Sequence, residues 1–430
     1  MTSDRDSTKQ RPKPAWYNPP ALAQKLMSVR TAQARIRGLF RSVQSETVEL
    51  GLCSGRTLAA DVKASDIPIF DNSSVDGFAV IASDVARGRG APPLHVVADI
   101  PAGTSWTKWL RPGQAARIMT GARIPKGADT VVMLEDTDVG AGDASMPAPD
   151  WVKIRKGVKP GENIRRRGMD LQKGALVMKR GHRLRPQDLG MLAMLNYRQV
   201  RVYRKPRVAL LSTGNELVAV GRHLKPGQIR DTNSHTLAAL LRQASCDVVS
   251  LGVARDREGA IAALLDRAVE KRADLILSSA GVSVGALDLV RNVIQARGRI
   301  EFWKANVRPG KPLAVGEYRG VPFIGLPGNP VSAFVGFELF VRPALAAMVG
   351  QAALERRVVR VTLDEPVQGD ARESYLRAVV REGADGLRAR LTGHQGSGNL
   401  FSLVEANALL IIPAGVKSQA VGDQVNAWLL

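Results

Sequence analysis

The sequence contains few cysteines, histidines and aromatic residues and no long apolar run, and each shortage disfavours a class of protein. Its 430 residues include 2 Cys and 5 His, with no C-x-x-C pair, so a disulfide framework and a cysteine zinc site are disfavoured and a reducing cytoplasm is expected. Aromatic residues make up only 5% of the chain, which leaves nucleic acid as a minor alternative partner. No run approaches the roughly 18–20 apolar residues that cross a bilayer, so no membrane partner is expected.

The charge balance is strongly basic. The 61 Lys and Arg residues exceed the 40 Asp and Glu residues, which gives a formal net charge of +21. Such a surface attracts polyanions, phosphorylated small molecules or inorganic oxyanions, although solubility in a basic proteome would explain the same excess. Residues 1–18 are polar and have no apolar segment typical of a secretory signal, so we expect a disordered basic tail.

Apolar periodicity predicts several domains, because the chain is too long for one ordinary core. Residues 19–60 and 165–203 are expected to form an N-terminal domain of helix and strand. Short apolar runs split by Pro and Gly predict a β-rich domain inserted at 61–164. Strand-like and helix-like segments alternate over 204–350, which indicates a parallel α/β sheet. The β-type runs of 351–430 predict a small C-terminal β-barrel.

Polar residues concentrate in the loops after the predicted strands of the α/β domain, where such sheets bind ligands. The loops "STGNEL", "ARD", "AGVSVGALD", "NVRPGKP" and "LPGNPVS" supply Glu216, Asp256, Ser283, Asp288, Arg308, Lys311, Asn329 and Ser332. Three carboxylates and two cations at one edge suit Mg²⁺ and phosphate, and glycines let backbone N–H groups approach an oxyanion. The glycine loop has neither dinucleotide nor P-loop spacing. Individually, an Asp after a strand is more often an N-cap and a glycine loop is more often a turn, so the joint placement carries the hypothesis.

Two further polar stretches lie outside the α/β domain. The first, "FDNSSVDGFAV", has an ordinary explanation as an Asx turn. The second, "NIRRRGMD", clusters three arginines suited to phosphate, but a solvated basic face would have the same composition. Neither stretch predicts a site by itself.

The motifs together resemble one family. In chain order they are "DNSSVDGFAV", "RIMTGA", "NIRRRGMD", "STGNEL", "DTN", "SSAGVSVGALD", "RPGKP", "GLPGNPVS" and "TGHQGS". This order is similar to that of the molybdopterin molybdenumtransferase family, which includes bacterial MoeA and the gephyrin E-domain, over roughly residues 20–430. The resemblance implies an elongated cytoplasmic homodimer of multidomain α/β plus β subunits, whose N-terminal domain serves dimerisation and whose α/β domain binds molybdopterin.

The resemblance also implies an activity. The family inserts molybdenum from molybdate into adenylylated molybdopterin in a Mg²⁺-dependent reaction that releases AMP and forms molybdenum cofactor. Molybdopterin adenylyltransferase and apo-molybdoenzymes are the protein partners that this implies. The glycine loop would then hold a pterin phosphate or molybdate.

Matching positions carry the family's roles onto this sequence. The implied catalytic residues are Asp76, Thr120, Asp170, Glu216, Asp256 and Asp288, of which Glu216, Asp256 and Asp288 are the candidate Mg²⁺ ligands. The implied binding residues for molybdate and the pterin are Arg165, Ser283, Lys304, Arg308, Lys311, Pro312, Pro327, Asn329, Pro330, Ser332, Arg372 and Ser397.

Some positions depart from the family pattern. Arg308 stands where the family commonly has Lys, Ala280 where Gly is usual, and Ala286 where an acid is often found. Arg308 keeps the charge but changes its geometry. A non-catalytic scaffold or cofactor carrier of the same fold is therefore retained as an alternative. An adenylyltransferase would match the α/β unit alone, and the additional domains argue against it.

Overall fold

A computed structural model describes residues 26–140, 147–279, 286–351 and 356–430, without the side chains of residues 286–288 and 302. Ala280 and Ser283 therefore lie outside the described residues, as do the side chains of Ala286 and Asp288. The chain divides into two compact units. The smaller unit comprises Asp61–Lys179 and Met191–Asn196, and the larger unit comprises the rest of the described chain. The domain boundaries predicted above stay predictions.

A six-stranded sheet forms the centre of the larger unit. Its strands are, in spatial order, Asp247–Ala254, Arg207–Thr213, Leu275–Ser279, Val321–Leu326, Pro312–Tyr318 and Gly298–Lys304. The first four are mutually parallel, which confirms the predicted α/β domain. Strand Pro312–Tyr318 pairs antiparallel with both of its neighbours, Val321–Leu326 and Gly298–Lys304, so the sheet is mixed.

The antiparallel edge was not predicted from the sequence. Strands Pro312–Tyr318 and Val321–Leu326 are joined by a two-residue turn at Arg319 and Gly320, with φ of 48° and 85°. Positive φ at both central residues is typical of a type I′ hairpin. A hairpin needs no crossover helix, so the strand–helix alternation is interrupted between these two strands.

Alternation along the strands buries both faces of the sheet. On strand Arg207–Thr213, Val208 and Leu210 contact one apolar cluster, while Ala209 and Leu211 contact the other. The helices that accompany the sheet are Asn233–Gln243, Glu258–Glu270, Ala286–Arg297, Pro330–Gly336 and Arg342–Met348, with a π-helical stretch Phe337–Val341 between the last two.

Among the described residues, one helical stretch, Pro330–Met348, is long and apolar enough to cross a membrane, but 89% of its apolar window is buried inside the protein. Its two charged residues, Glu338 and Arg342, are buried together, and Arg356 also donates to Glu338. The stretch is therefore the core helix of this unit.

A closed five-stranded barrel forms the C-terminal part of the larger unit and confirms the predicted β-barrel. Its strands are Val358–Leu363, Glu373–Gly383, Gly386–Leu391, Ala408–Ile412 and Gln424–Leu429. Each strand pairs with two others, which closes the ring. Strand Val307–Arg308 pairs in parallel with the start of Glu373–Gly383. The helix Phe401–Glu405 and the strand pair Val367–Gln368 with Ser418–Gln419 complete this part.

The N-terminal part of the larger unit contains helix Val29–Leu39, for which Ser28 is the N-cap. Strand Ser45–Glu49 pairs with Gln199–Tyr203, so residues far apart in sequence close this part. Helix Pro186–Met194 precedes the returning strand, and its residues 186–190 belong to this unit whereas residues 191–194 belong to the smaller one.

The smaller unit is β-rich, as predicted. Its five-stranded sheet has the order Thr130–Met133, Gly77–Val80, Gln114–Ile118, Leu94–Ile100 and Trp151–Val152. Two strand pairs accompany it, Asn72–Ser73 with Ile164–Arg165 and Val62–Lys63 with Leu176–Met178. A short helix, Ala82–Val85, follows the strand Gly77–Val80.

Candidate active site

The first two loops at the carboxyl edge of the α/β sheet are hydrogen-bonded to each other. The N–H of Asn215 donates to Oδ2 of Asp256 at 3.2 Å, and the N–H of Asp256 donates to Oδ1 of Asn215 at 3.2 Å. The N–H of Gly214 donates to the carbonyl of Ala254 at 3.1 Å. These bonds place the loop that carries Glu216 beside the loop that carries Asp256, as strand order predicts.

The donor atoms of these two loops suit an oxygen-preferring divalent cation. Oδ1 of Asp256 is buried and has no hydrogen-bond partner within the described chain, so one carboxylate oxygen is left unsatisfied there. The carboxylate of Glu216 is exposed and folds over Gly214, where an added Cβ would lie 2.5 Å from Oε2 of Glu216. In the described part of the chain, no group of three His, Cys, Asp or Glu residues could hold a metal ion. Because the Asp288 side chain is outside that part, the proposed carboxylate trio stays a prediction.

A buried hydroxyl cluster lies next to this edge and was missed from the sequence. Oγ of Ser212 is 2.8 Å from Oγ of Ser279 and 3.0 Å from Oγ of Ser234. Asp231 accepts from Oγ of Ser234 at 2.5 Å, and Oγ1 of Thr213 is buried without a partner among the described residues. Two features of the sequence could have indicated this cluster. Two apolar strands each end in a pair of hydroxyl residues, and the "DTN" motif supplies Asp231.

Two of the predicted arginines are linked by a carboxylate that sequence reasoning did not select. Asp370 accepts from Nη2 of Arg372 at 2.8 Å and from Nη1 of Arg308 at 3.5 Å. The hydrogen bond from Arg372 is the main cause that lowers the pKa of Asp370. The pairing of strand Val307–Arg308 with Glu373–Ser374 brings these residues together. Asp370 therefore orients the guanidinium group of Arg372 and lies close to that of Arg308.

The "LPGNPVS" and "TGHQGS" loops also meet. Nδ2 of Asn329 donates to Oγ of Ser397 at 2.9 Å, and the N–H of Val331 donates to the carbonyl of Ser397 at 3.0 Å. Pro330 begins the helix that follows, which contains the buried residue Ser332. This contact places Ser397 at the carboxyl end of strand Val321–Leu326.

The "NVRPGKP" loop supplies exposed cations near the same helix. Gly310 has φ of 102°, and an added Cβ would lie 3.4 Å from the carbonyl oxygen of Ser332, so the loop passes close to the helix. Lys304 pairs with Pro312 across the hairpin, and Lys304, Lys311 and Pro312 are exposed whereas Pro327 is buried. The structure thus brings the loop of Arg308 and Lys311 close to Ser332 through Gly310, whereas Ser283 lies outside the described residues.

The predicted residues of the smaller unit form a separate set. Oδ1 of Asp76 accepts from the N–H of Thr120 at 2.6 Å and from Oγ1 of Thr120 at 2.7 Å. The backbone hydrogen bond is the main cause that lowers the pKa of Asp76, and the hydroxyl bond adds to it. Both residues are exposed. Thr120 therefore fixes the position of the Asp76 carboxylate, which stays ionised at neutral pH.

The arginine-rich motif of the smaller unit is largely ion-paired. Arg166 donates to Asp71 at 2.7 Å, and Nε of Arg167 donates to Asp66 at 2.8 Å. Arg165 and Asp170 are exposed, and Asp170 is held through its backbone N–H, which donates to the carbonyl of Ile67 at 2.9 Å. The ion pairs reduce the positive charge that this motif offers to a phosphate.

Protein-family models match three successive segments of the chain. Residues 27–195 match the MoeA N-terminal region (domain I and II), 209–347 match a probable molybdopterin binding domain, and 360–430 match the MoeA C-terminal region (domain IV).

Similar proteins cover nearly the whole chain. The molybdopterin molybdenumtransferase 2 of Mycobacterium tuberculosis (strain H37Rv) is 38% identical over 417 residues, which cover 94% of this chain and 99% of that protein. The molybdopterin molybdenumtransferase of Nostoc sp. is 38% identical over 392 residues, 89% of this chain and 88% of that protein. The crystal structure of the molybdopterin biosynthesis moeA protein from Pyrococcus horikoshii OT3 matches with a TM-score of 0.80 at 31% identity, covering 94% of this chain and 100% of that chain. The chain therefore belongs to the molybdopterin molybdenumtransferase family, the transferases of molybdenum cofactor biosynthesis.

Proposed function

We propose that this chain inserts molybdenum from molybdate into adenylylated molybdopterin, with release of AMP and formation of molybdenum cofactor. The observation that carries the proposal is the meeting of two loops through the Asn329–Ser397 hydrogen bond, in the same unit as the Arg308–Asp370–Arg372 group. A tetrahedral dianion needs charge-assisted hydrogen bonds from several directions, and hydroxyl and guanidinium donors supply them.

The carboxylate loops suit the phosphate part of the same substrate. Asp256 and Glu216, with Asp288, are the residues proposed to hold Mg²⁺, which when bound would neutralise charge on the phosphoanhydride of the adenylylated pterin. The N–H of Asn215 holds Oδ2 of the Asp256 carboxylate, and Oδ1 has no partner among the described residues. Phosphoryl chemistry depends on positioning and charge rather than a covalent nucleophile, so the scarcity of cysteine is no obstacle.

The cationic residues are proposed to bind and orient the oxyanion. Lys311 is exposed on the loop before strand Pro312–Tyr318, so its ammonium group is accessible to a ligand. Asp370 accepts from Arg372 at 2.8 Å and lies 3.5 Å from Nη1 of Arg308, so this carboxylate holds Arg372 and attracts Arg308.

The remaining expectations are proposals of the same kind. We propose a cytoplasmic homodimer in which Asp76, Thr120, Arg165 and Asp170 serve the substrate site of the second copy. Molybdopterin adenylyltransferase would deliver the substrate, and apo-molybdoenzymes would accept the product. A cofactor carrier without catalysis is the alternative.

Reconstitution tests the proposal and separates these alternatives. Purified protein, adenylylated molybdopterin, Mg²⁺ and molybdate should give molybdate-dependent AMP release and active cofactor for an apo-molybdoenzyme. Tight binding of the adenylylated pterin without AMP release would support the carrier. Absence of binding would contradict both.

Lys311→Ala should raise the molybdate concentration needed for half-maximal AMP release by roughly tenfold or more, because a charged donor to a dianion is lost. Lys271→Ala is the matched control. Lys271 is an exposed lysine beyond helix Glu258–Glu270, and its carbonyl accepts from Arg207 at the amino end of a sheet strand. An unchanged half-maximal concentration in Lys311→Ala would remove this residue from the proposed molybdate site.

A further inference from the structure

Arg377 is a buried cation in the barrel strand Glu373–Gly383. Its side chain is 0% exposed, and it is among the largest fully buried side chains of the described protein. No carboxylate of the described residues forms an ion pair with it. Burial lowers the pKa of Arg377 to about 10, and the neighbouring charge of Arg308 adds to this effect. A buried charge without a counter-ion is destabilising, so the position needs an explanation.

The main chain and side chain of Arg377 hold the "TGHQGS" loop. Nη2 donates to the carbonyl of Gly396 at 3.0 Å, and Nε donates to Oγ of Ser402 at 3.0 Å. The N–H of Arg377 donates to Oε1 of Gln395 at 2.9 Å, and its carbonyl accepts from the N–H of Thr392 at 3.1 Å. The backbone next to Ser397 is thereby fixed.

One nitrogen of the Arg377 guanidinium, with its two N–H groups, remains unused. Nη1 is buried and has no hydrogen-bond partner in the described chain. A neutral side chain could donate to the carbonyl of Gly396 without a desolvated charge, so loop anchoring alone does not account for an arginine. Ser397, the residue after Gly396, meets Asn329 in the proposed oxyanion site. The uncompensated charge therefore lies against the loop that supplies a hydroxyl to that site.

We propose that Arg377 is a positioning residue for a tetrahedral dianion, fixing the loop that carries Ser397 and supplying the buried positive charge that favours a dianion over a monoanion. This inference rests on the proposed function, since molybdate is the expected dianion. A residue that only supports the fold would weaken all anions alike, whereas a charge in the site changes the preference between anions.

The test compares molybdate with perrhenate, a tetrahedral monoanion of similar shape, by equilibrium binding to the full chain. Arg377→Gln should lower molybdate affinity by roughly tenfold or more and perrhenate affinity much less, because a second ligand charge feels the lost cation more strongly. Arg377→Lys should weaken both anions but keep the preference, because it retains the charge and loses the planar fork. Ser402→Ala removes one partner of Arg377 without a change in charge, so it should keep the preference too.

A second measurement uses the unaltered protein, in case Arg377→Gln does not fold. A buried charge is screened little by salt, so the preference for molybdate should persist from about 0.05 to 0.5 M salt. A preference that disappears with salt would assign it to exposed lysines and overturn the inference. A folded Arg377→Gln protein with an unchanged preference would overturn it as well.

The outcomes also distinguish this inference from the proposed function. If the unaltered protein does not bind molybdate, the proposed function fails. If Ser397→Ala and Lys311→Ala weaken molybdate binding while Arg377→Gln leaves the preference unchanged, the function stands and the role of Arg377 is wrong.

Discussion

At the scale of single residues, the polar contacts of this protein join positions far apart in sequence. Asp370 lies 62 residues from Arg308, and Ser397 lies 68 residues from Asn329. Motif resemblance predicted Asn329, Ser397 and Arg308, because binding residues lie in recognisable loops. It did not predict Asp370 or Arg377, because an acceptor that orients an arginine and a buried arginine on a strand look like ordinary barrel residues until the fold pairs them.

Asp76→Asn should lower AMP release at least tenfold while the unfolding midpoint stays near that of the unaltered protein. The two hydrogen bonds from Thr120 lower the pKa of Asp76, so the carboxylate is charged at neutral pH, and Asn removes that charge from an exposed position. Asp138→Asn is the control, because Asp138 is an exposed carboxylate of the same unit that accepts one backbone N–H, from Lys153. Equal activity of the two variants would contradict a catalytic role for Asp76.

At the scale of elements, apolar runs predicted the α/β strands, which are buried on both faces, and apolar periodicity predicted the helices, which bury one stripe. Strands Arg207–Thr213, Asp247–Ala254 and Leu275–Ser279 and helix Asn233–Gln243 lie within residues 204–350, where the alternation was predicted. The hairpin at Arg319 was missed because a type I′ turn is recognised by Asn or Gly at its first central position, and an arginine there gives no such signal.

Gly77→Ala should destabilise the smaller unit, although Gly77 looks like part of a ligand loop in the sequence. An added Cβ would overlap the backbone oxygen of Val132 on the paired strand, which cannot move without breaking the pairing. We expect the free energy of unfolding, measured by chemical denaturation, to fall by about 1–3 kcal/mol.

The matched control is Gly38→Ala in helix Val29–Leu39, where an added Cβ meets nothing within 4 Å. It should stabilise the protein by about 0.5–1 kcal/mol, because alanine favours helix. If Gly77→Ala were as stable as Gly38→Ala, the glycine of the "VDG" motif would serve a ligand rather than strand pairing.

At the scale of the whole molecule, the excess of positive charge makes the acidic residues structurally important. Asp66, Asp71, Asp188, Asp266, Glu338, Asp364 and Asp370 all have lowered pKa values, and each accepts hydrogen bonds from arginine. A carboxyl whose pKa is lower in the folded state contributes stability above its unfolded pKa and loses it as the pH falls through the folded value. We therefore expect this chain to lose stability progressively below about pH 4–5.

Glu338 gives that expectation its sharpest test, because it lies in the core helix between Arg342 and Arg356. Burial alone would raise its pKa, but the hydrogen bonds and charges of the two arginines outweigh burial and lower the pKa from its ordinary value of 4.5. Glu338→Gln should cost about 3–5 kcal/mol at pH 7, since it leaves the buried Arg342 without a counter-ion.

Urea unfolding of the Glu338→Gln protein between pH 7 and pH 3 should also show a smaller loss on acidification than the unaltered protein, because the titrating group is gone. Glu317→Gln is the control, since Glu317 forms an exposed pair with Arg299 at 3.8 Å that should contribute less than about 1 kcal/mol. If the two variants lost equal stability at pH 7, the buried cluster would not be an anchor of the core helix. Acid sensitivity would then belong to the surface pairs.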